Sequence, residues 1–222
     1  MIATTPVGRW TWGRETQLED KIAACLHELQ TAYTVLTRKE LIYGKSKLSL
    51  SIHEAGKSNS YLFRGDLDLD AASFPPSLAQ LLADQVEAAL RPGEIGSVYA
   101  NAKSAGSVVR SDNHAHEEGS FLLGTSAVLD YVSTDLATFS DAWMPYDLKG
   151  RAQPTVHSAN APRLSAALRD LSEALHSETD PDDPTHFGKP TEFGVDNYFD
   201  HDGTASDVWS SFEIPYRYSK SP

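Results

Sequence analysis

Apolar residues recur along ETQLEDKIAACLHELQTAY at steps of three and four, as Leu18, Ile22, Leu26, Leu29 and Tyr33. That period is one face of an amphipathic helix. Cys25 sits beside the stripe and reads as a small buried thiol, since no Cys-His-Asn pattern surrounds it. The period then changes to two. KLSLSIHE alternates Leu48, Leu50 and Ile52 with Ser49, Ser51 and His53, as a half-buried strand does, and YLFRGDLDLD is predicted to pair with it across the turn AGKSNS. SFPPSLAQLLADQVEAALRPG is punctuated as a helix, with prolines and Ser77 before it, Pro92-Gly93 after it, and Leu78, Leu81, Leu82, Val86 and Leu90 on one face. Short β-rich pieces follow, SVYANA, GSVVRS and SFLLG, and AVLDYVSTDLATF reads as one further strand. A third helix is predicted where Asn160 offers an N-cap, Pro162 falls in the first turn, and Leu164, Leu168, Leu171 and Leu175 form a stripe.

After His176 the periodicity stops. The stretch SETDPDDPTHFGKPTEFGVDNYFDHDGTASD is broken by Pro and Gly, so its backbone is expected to be irregular and exposed. It also carries Phe187, Phe193, Tyr198 and Phe199, with Trp209 and Phe212 close behind, which is more aromatic than a disordered acidic tail. The segment is therefore expected to return to the body through these rings. The order of elements predicts an α+β fold: a mainly antiparallel sheet with about three helices on one face. Residues 1–176 would form the core domain and 177–222 an acidic, aromatic-containing segment packed on it.

Composition narrows the function. A chain of 222 residues, 40% of them apolar, can bury a genuine core. Its single cysteine excludes an internal disulfide and a Cys-rich zinc cluster and points to a reducing compartment. No apolar run reaches the ~18 residues of a membrane helix, and MIATTPVGRWTWG lacks the pattern of an export signal, so the expected location is cytoplasmic, with no membrane partner. A formal charge of −12 argues against nucleic acid as a partner. The charge is uneven. Residues 1–64 hold nine Lys/Arg against six Asp/Glu, whereas residues 176–207 hold nine Asp/Glu against Lys189.

Three motifs carry candidate chemistry. FDHDGT contains the D-x-D-G-T string of haloacid dehalogenase-like phosphatases, which would make Asp200 a nucleophile and Asp202 a general acid. Only eighteen residues follow Thr204, too few for the strands and helices that must come after the motif, so the string is read as a solvated turn. SDNHAHEEG places His114 and His116 on one side of any strand that contains them, a usable metal spacing, although a polar hairpin loop explains it without metal. GDLDLD sets Asp66, Asp68 and Asp70 on one side of a strand, either as Mg²⁺ ligands or as charges that protect a sheet edge. Walker, dinucleotide, G-x-S-x-G and H-E-x-x-H motifs are absent, and no cofactor is implied.

The phrases VSTDLATFSDAWMP, NAPRLSAALRDL, DPTHFGKPTEFG and ASDVWSSFEIPYR resemble segments of uncharacterised acidic proteins of Streptomyces-type actinobacteria. The resemblance implies no catalytic residue; it implies a setting in which toxin and immunity pairs are common. The expected function is a non-enzymatic binding protein, most concretely an immunity-type inhibitor of a basic toxin domain. Asp180, Asp182, Asp183, Asp200 and Asp202 would supply the field, and Tyr198, Phe199 and Trp209 would serve as anchors or as core packing. The alternatives are a metal-dependent hydrolase using Asp66, Asp68 and Asp70 or His114 and His116, and a structural subunit of a larger assembly.

Overall fold

Asp20 sets the start of the first helix. In the computed structural model, which describes residues 1–70, 76–110 and 113–213, its carboxylate accepts hydrogen bonds from the backbone N–H groups of Ile22 and Ala23. Two donors that helix geometry leaves without partners are thereby satisfied. Helix α1 then runs Lys21–Arg38. Ile22, Leu26, Leu29 and Leu36 are fully buried, each worth about 1.5–3 kcal/mol of apolar burial. Cys25 lies among them with Sγ 3.3 Å from Thr125 Oγ1. Burial pushes its thiol up to about 12, so it is an inert core group.

The remaining elements are β1 (Gly8–Glu15), β2 (Ile42–Glu54), β3 (Lys57–Asp70), α2 (Pro76–Ala88), β4 (Ile95–Arg110), β5 (Asn113–Val128) and β6 (Tyr131–Thr138), then α3 (Pro154–Leu175), β7 (Asp180–Pro181), β8 (Lys189–Thr191), β9 (Gly194–Asp196) and α4 (Val208–Phe212). Strands β3-β2-β4-β5-β6-β1-β7 form one sheet in that order, with each neighbouring pair antiparallel. The fold is α+β, as expected. Helices α1 and α3 pack on the same side of this sheet, and α2 packs on α1. Inward residues such as Leu48, Leu50, Ile52, Ala100, Ala102, Leu123 and Leu136 are buried beneath them. Among the described residues, no helix is long and apolar enough to cross a membrane.

Several boundaries differ from expectation, each for a physical reason. The first hairpin turns at Ala55-Gly56, where Gly56 takes φ +71°, and the strand resumes at Lys57 rather than after Ser60. The β-rich pieces fuse into β4 and β5, each 16 residues long, so most of the polar stretch SDNHAHEEG lies in a strand and not in a loop. AVLDYVSTDLATF is divided by a turn at Leu129-Asp130, with Leu129 at φ +53°. Strand β1 carries no assignment from the sequence, although Trp10 and Trp12 alternate there with Arg9 and Thr11.

Helix α3 begins at Pro154, so Asn160 and Pro162 lie inside it. Asn160 is buried; its Oδ1 accepts from the Val109 N–H at 2.9 Å and its Nδ2 donates to the Val109 carbonyl at 2.8 Å. One side chain thus does for the end of β4 what a neighbouring strand would do. In α2 the buried residues are Ala79, Ala83 and Val86, while Leu81 is 51% exposed. Small residues let α2 approach α1 closely, and of the leucine stripe Leu78, Leu82 and Leu90 pack on the core half-buried while Leu81 faces water.

Candidate functional site

The acidic segment is held to the body at every few residues. His176, at φ +50°, ends α3, and Asp180 and Pro181 then pair with Thr11 and Trp10 at the edge of the sheet. Trp10 Nε1 donates to the Thr191 carbonyl at 2.7 Å, and Phe187 is buried. Tyr198 Oη donates to the Thr185 carbonyl at 2.6 Å. Asn197 clamps Tyr146, accepting from its N–H at 3.0 Å and donating to its carbonyl at 2.9 Å. Further on, the Trp209 N–H reaches the Leu148 carbonyl at 2.8 Å.

FDHDGT is a closed turn. The Asp200 N–H donates to Thr204 O, the Gly203 N–H donates to Asp200 O, and Gly203 takes φ +83°. Asp202 Oδ1 accepts from the Thr204 N–H at 2.9 Å, a bond that holds its carboxyl below the usual carboxylate range. Asp200 Oδ1 accepts from Ser206 Oγ at 2.6 Å. Both carboxylates thus accept bonds from residues of the turn and its flank.

Glu178, Asp180, Asp182, Asp183, Glu192, Asp196, Asp200, Asp202 and Asp207 are all exposed. Among the described residues only Asp182 of this set forms an ion pair, with Arg9 at 3.9 Å. Of the three aromatic candidates, Phe199 is 51% exposed, with its ring edge against Tyr146, whereas Tyr198 and Trp209 are half-buried against the core.

The other candidates lie on the sheet. Strand β3 is its edge, and Asp66 and Asp68 stand opposite Ser49 and Lys47. Asp66 Oδ1 accepts from Ser49 Oγ at 2.6 Å. Asp70 continues the same register, and His114 pairs with Val109 in β5; the side chains of Asp70 and His114 lie outside the described residues. His116 stacks on Tyr43 with centroids 4.0 Å apart and lies in β5, separated from β3 by β2 and β4. The two proposed metal groups are not brought together. Among the described residues, no three His, Cys, Asp or Glu side chains group as ligands for a metal ion.

No family model, curated protein or solved structure matches this chain. Its own surfaces therefore carry the chemical argument.

One surface escapes any local sequence pattern, because it is made by strand order. The face of the sheet opposite α1 and α3 is bordered at β1 by the acidic segment, whose Asp180 pairs with Thr11 and whose Asp182 meets Arg9. One row across it reads Asp66, Ser49, Asn101, Gly124, Asp135, Thr11, and the next reads Asp68, Lys47, Lys103, Leu122, Ala137, Arg9. Gly124 leaves room for the Asp135 carboxylate, and Gly13 leaves room for the Tyr131 ring, since a Cβ at either glycine would collide with that side chain. Both groups can therefore lie flat on the sheet. Burial pushes the Asp135 carboxyl above its ordinary range, with Arg9 pulling it down and Asp182 pushing it further up. At the other end of the face His53 stands between Tyr61 and Tyr99, 4.5 Å and 5.5 Å from their ring centres, and the Arg64 guanidinium lies 5.6 Å from the Tyr61 centroid.

Proposed function

We propose that this chain is a non-enzymatic binding protein, an immunity-type inhibitor that holds a basic protein partner, such as a toxin domain, through its C-terminal acidic segment. The observation that carries this is the nine exposed carboxylates between Glu178 and Asp207, of which only Asp182 is ion-paired among the described residues. Their backbone is pinned through Trp10, Tyr146, Leu148 and Thr185. A negative surface on a fixed backbone attracts a cationic partner over a Debye length of about 8 Å at physiological salt. It also avoids much of the ordering cost that a disordered acidic tail would meet on binding. Phe199, which bridges Ala205 at the base of the FDHDGT hairpin and is 51% exposed, is an aromatic group open to a partner's cleft.

The test is capture from a native lysate with two baits: the wild-type chain, and a variant combining Asp180→Lys, Asp183→Lys and Asp196→Lys with Asp200→Asn and Asp202→Asn. Asn at the last two positions keeps the acceptor oxygens that close the turn. The expected result is a stoichiometric basic protein whose affinity for the variant falls at least tenfold, about 1.4 kcal/mol, and falls further with added salt. Absence of a stoichiometric partner, or a partner indifferent to the substitutions, would overturn the proposal.

A further inference from the structure

We infer that the cleft between α3 and the β8–β9 hairpin binds a small organic cation with an apolar body, of the class of the aryl-alkylamines. The inference goes beyond the basic-protein reading. The acidic segment supplies one wall of the cleft, but a small molecule can fill it without any protein partner.

The cleft is a cavity of about 650 Å³, inside the range of roughly 300–1,000 Å³ that small-molecule sites occupy. Its walls are mainly apolar: Trp143 and Pro145 from the turn before α3, Ala161 and Pro162 from α3 itself, and Phe193 and Val195 from the hairpin. His157, Ala161 and Ser165 fall at steps of four, so they line about 12 Å of one helix face beside the buried leucine stripe. Ala161 and Gly194 are small, and a Cβ at Gly194 would meet only Thr191 Oγ1, at 3.7 Å. The protein therefore leaves the space unfilled. Both walls are fixed: Val195 is buried, Trp10 Nε1 holds the Thr191 carbonyl, and the Arg169 guanidinium lies 4.6 Å from the Phe193 centroid. A cleft already formed spares a ligand the cost of ordering it.

The polar lining points to the ligand's charge. Ser158 Oγ is used within α3, donating to the Thr155 carbonyl at 3.1 Å. The side chains of His157, Ser165, Thr191 and Asp196 line the cavity with no hydrogen bond or ion pair to a described residue. Asp196 is the carboxylate among them. Beyond Phe193 a second cavity of about 650 Å³ is lined by Glu173, Glu178 and Glu192, with Arg169 as its one cation. The two cavities together thus carry four carboxylates against Arg169, and none of these five groups forms an ion pair with a described residue. An anion would enter that field against repulsion. A wholly apolar molecule would strip water from Asp196 and return nothing. An ammonium answers the carboxylate, and a flat ring covers the walls that include Trp143 and Phe193.

The experiment is titration of the full chain with three probes, followed by backbone amide NMR shifts. Tryptamine has both ring and charge, indoleacetate keeps the ring and reverses the charge, and ethylamine keeps the charge without the ring. The expected result is saturable binding of tryptamine with a Kd of about 1 mM or tighter, and binding of the other two at least about tenfold weaker. The shifts should concentrate at residues 157–165 and 193–196. Ala161→Phe fills the cavity and is expected to weaken tryptamine at least about tenfold. Asp196→Asn should weaken it about two- to fivefold, the range of an exposed ion pair, with an unchanged circular dichroism spectrum. If Ala161→Phe fails to fold, Asp196→Asn, at an exposed position, decides the matter. Tryptamine that does not saturate, indoleacetate or ethylamine that binds as well, shifts centred elsewhere, or a Kd indifferent to Asp196→Asn would overturn the inference. Capture of a basic protein does not depend on the ring or on Ala161, so the two proposals can fail separately.

Discussion

Asn160 ties α3 to β4 with one buried amide. Replacing it by Ala leaves both the N–H and the carbonyl of Val109 without their partner. An unmade bond at a buried group costs about 1–3 kcal/mol, so Asn160→Ala is expected to lower stability by roughly 2–3 kcal/mol in urea unfolding. Asn160→Asp should do no better, because a carboxylate has no donor for the Val109 carbonyl. A loss below about 1 kcal/mol would mean that water replaces the amide. Asp135 acts in the opposite direction. Its folded pKa is raised, chiefly by burial, so its ionised form costs stability above that pKa, and the cost disappears as pH falls below the unfolded value. Asp135→Asn should therefore raise the urea midpoint at neutral pH and lose that advantage in acid. A gain that is equal at every pH, or no gain at all, would remove desolvation as the explanation.

At the scale of elements, one close contact between the acidic segment and the body is at Gly150. Its φ is +74°, and a Cβ there would collide with the backbone of Ala205. Gly150→Ala combines backbone strain of about 1–3 kcal/mol with displacement of the FDHDGT hairpin. Limited proteolysis is expected to show new cleavage near Ala205 while the sheet stays protected; an unchanged cleavage pattern would show that the segment is held without this contact. The elements most legible in the sequence are those that bury one face along their whole length, namely α1 and the β2–β3 hairpin. SDNHAHEEG hid its strand because exposed Glu118 and His116 alternate only with half-buried neighbours, which gives little apolar period to read. Asn160 looked like an N-cap because its true partner, Val109, is 51 residues away. The Asp66 and Asp68 side of GDLDLD was legible, since alternation alone sets it, and β3 is in fact an edge strand. Which strands flank one another, and hence the whole open face, is decided by long-range pairing that no local window contains.

At the scale of the molecule, β1 is the seam between the sheet and the acidic segment, which reaches both of its sides. On the helix-covered side Trp10 donates to Thr191, and on the other Asp180 pairs with Thr11 and Asp182 meets Arg9. The sheet also has an order of arrival. Strand β1 is made first, yet it sits between β6 and β7. During synthesis at 5–20 residues per second it must wait roughly 6–25 s for Thr138 and its neighbours to appear. The hairpins β2–β3, β4–β5 and β5–β6 can close as they emerge, because each joins consecutive strands. For that interval Trp10 and Trp12, fully buried in the finished protein, have no sheet to enter. The strand that closes the sheet is thus the part of the nascent chain most in need of a chaperone.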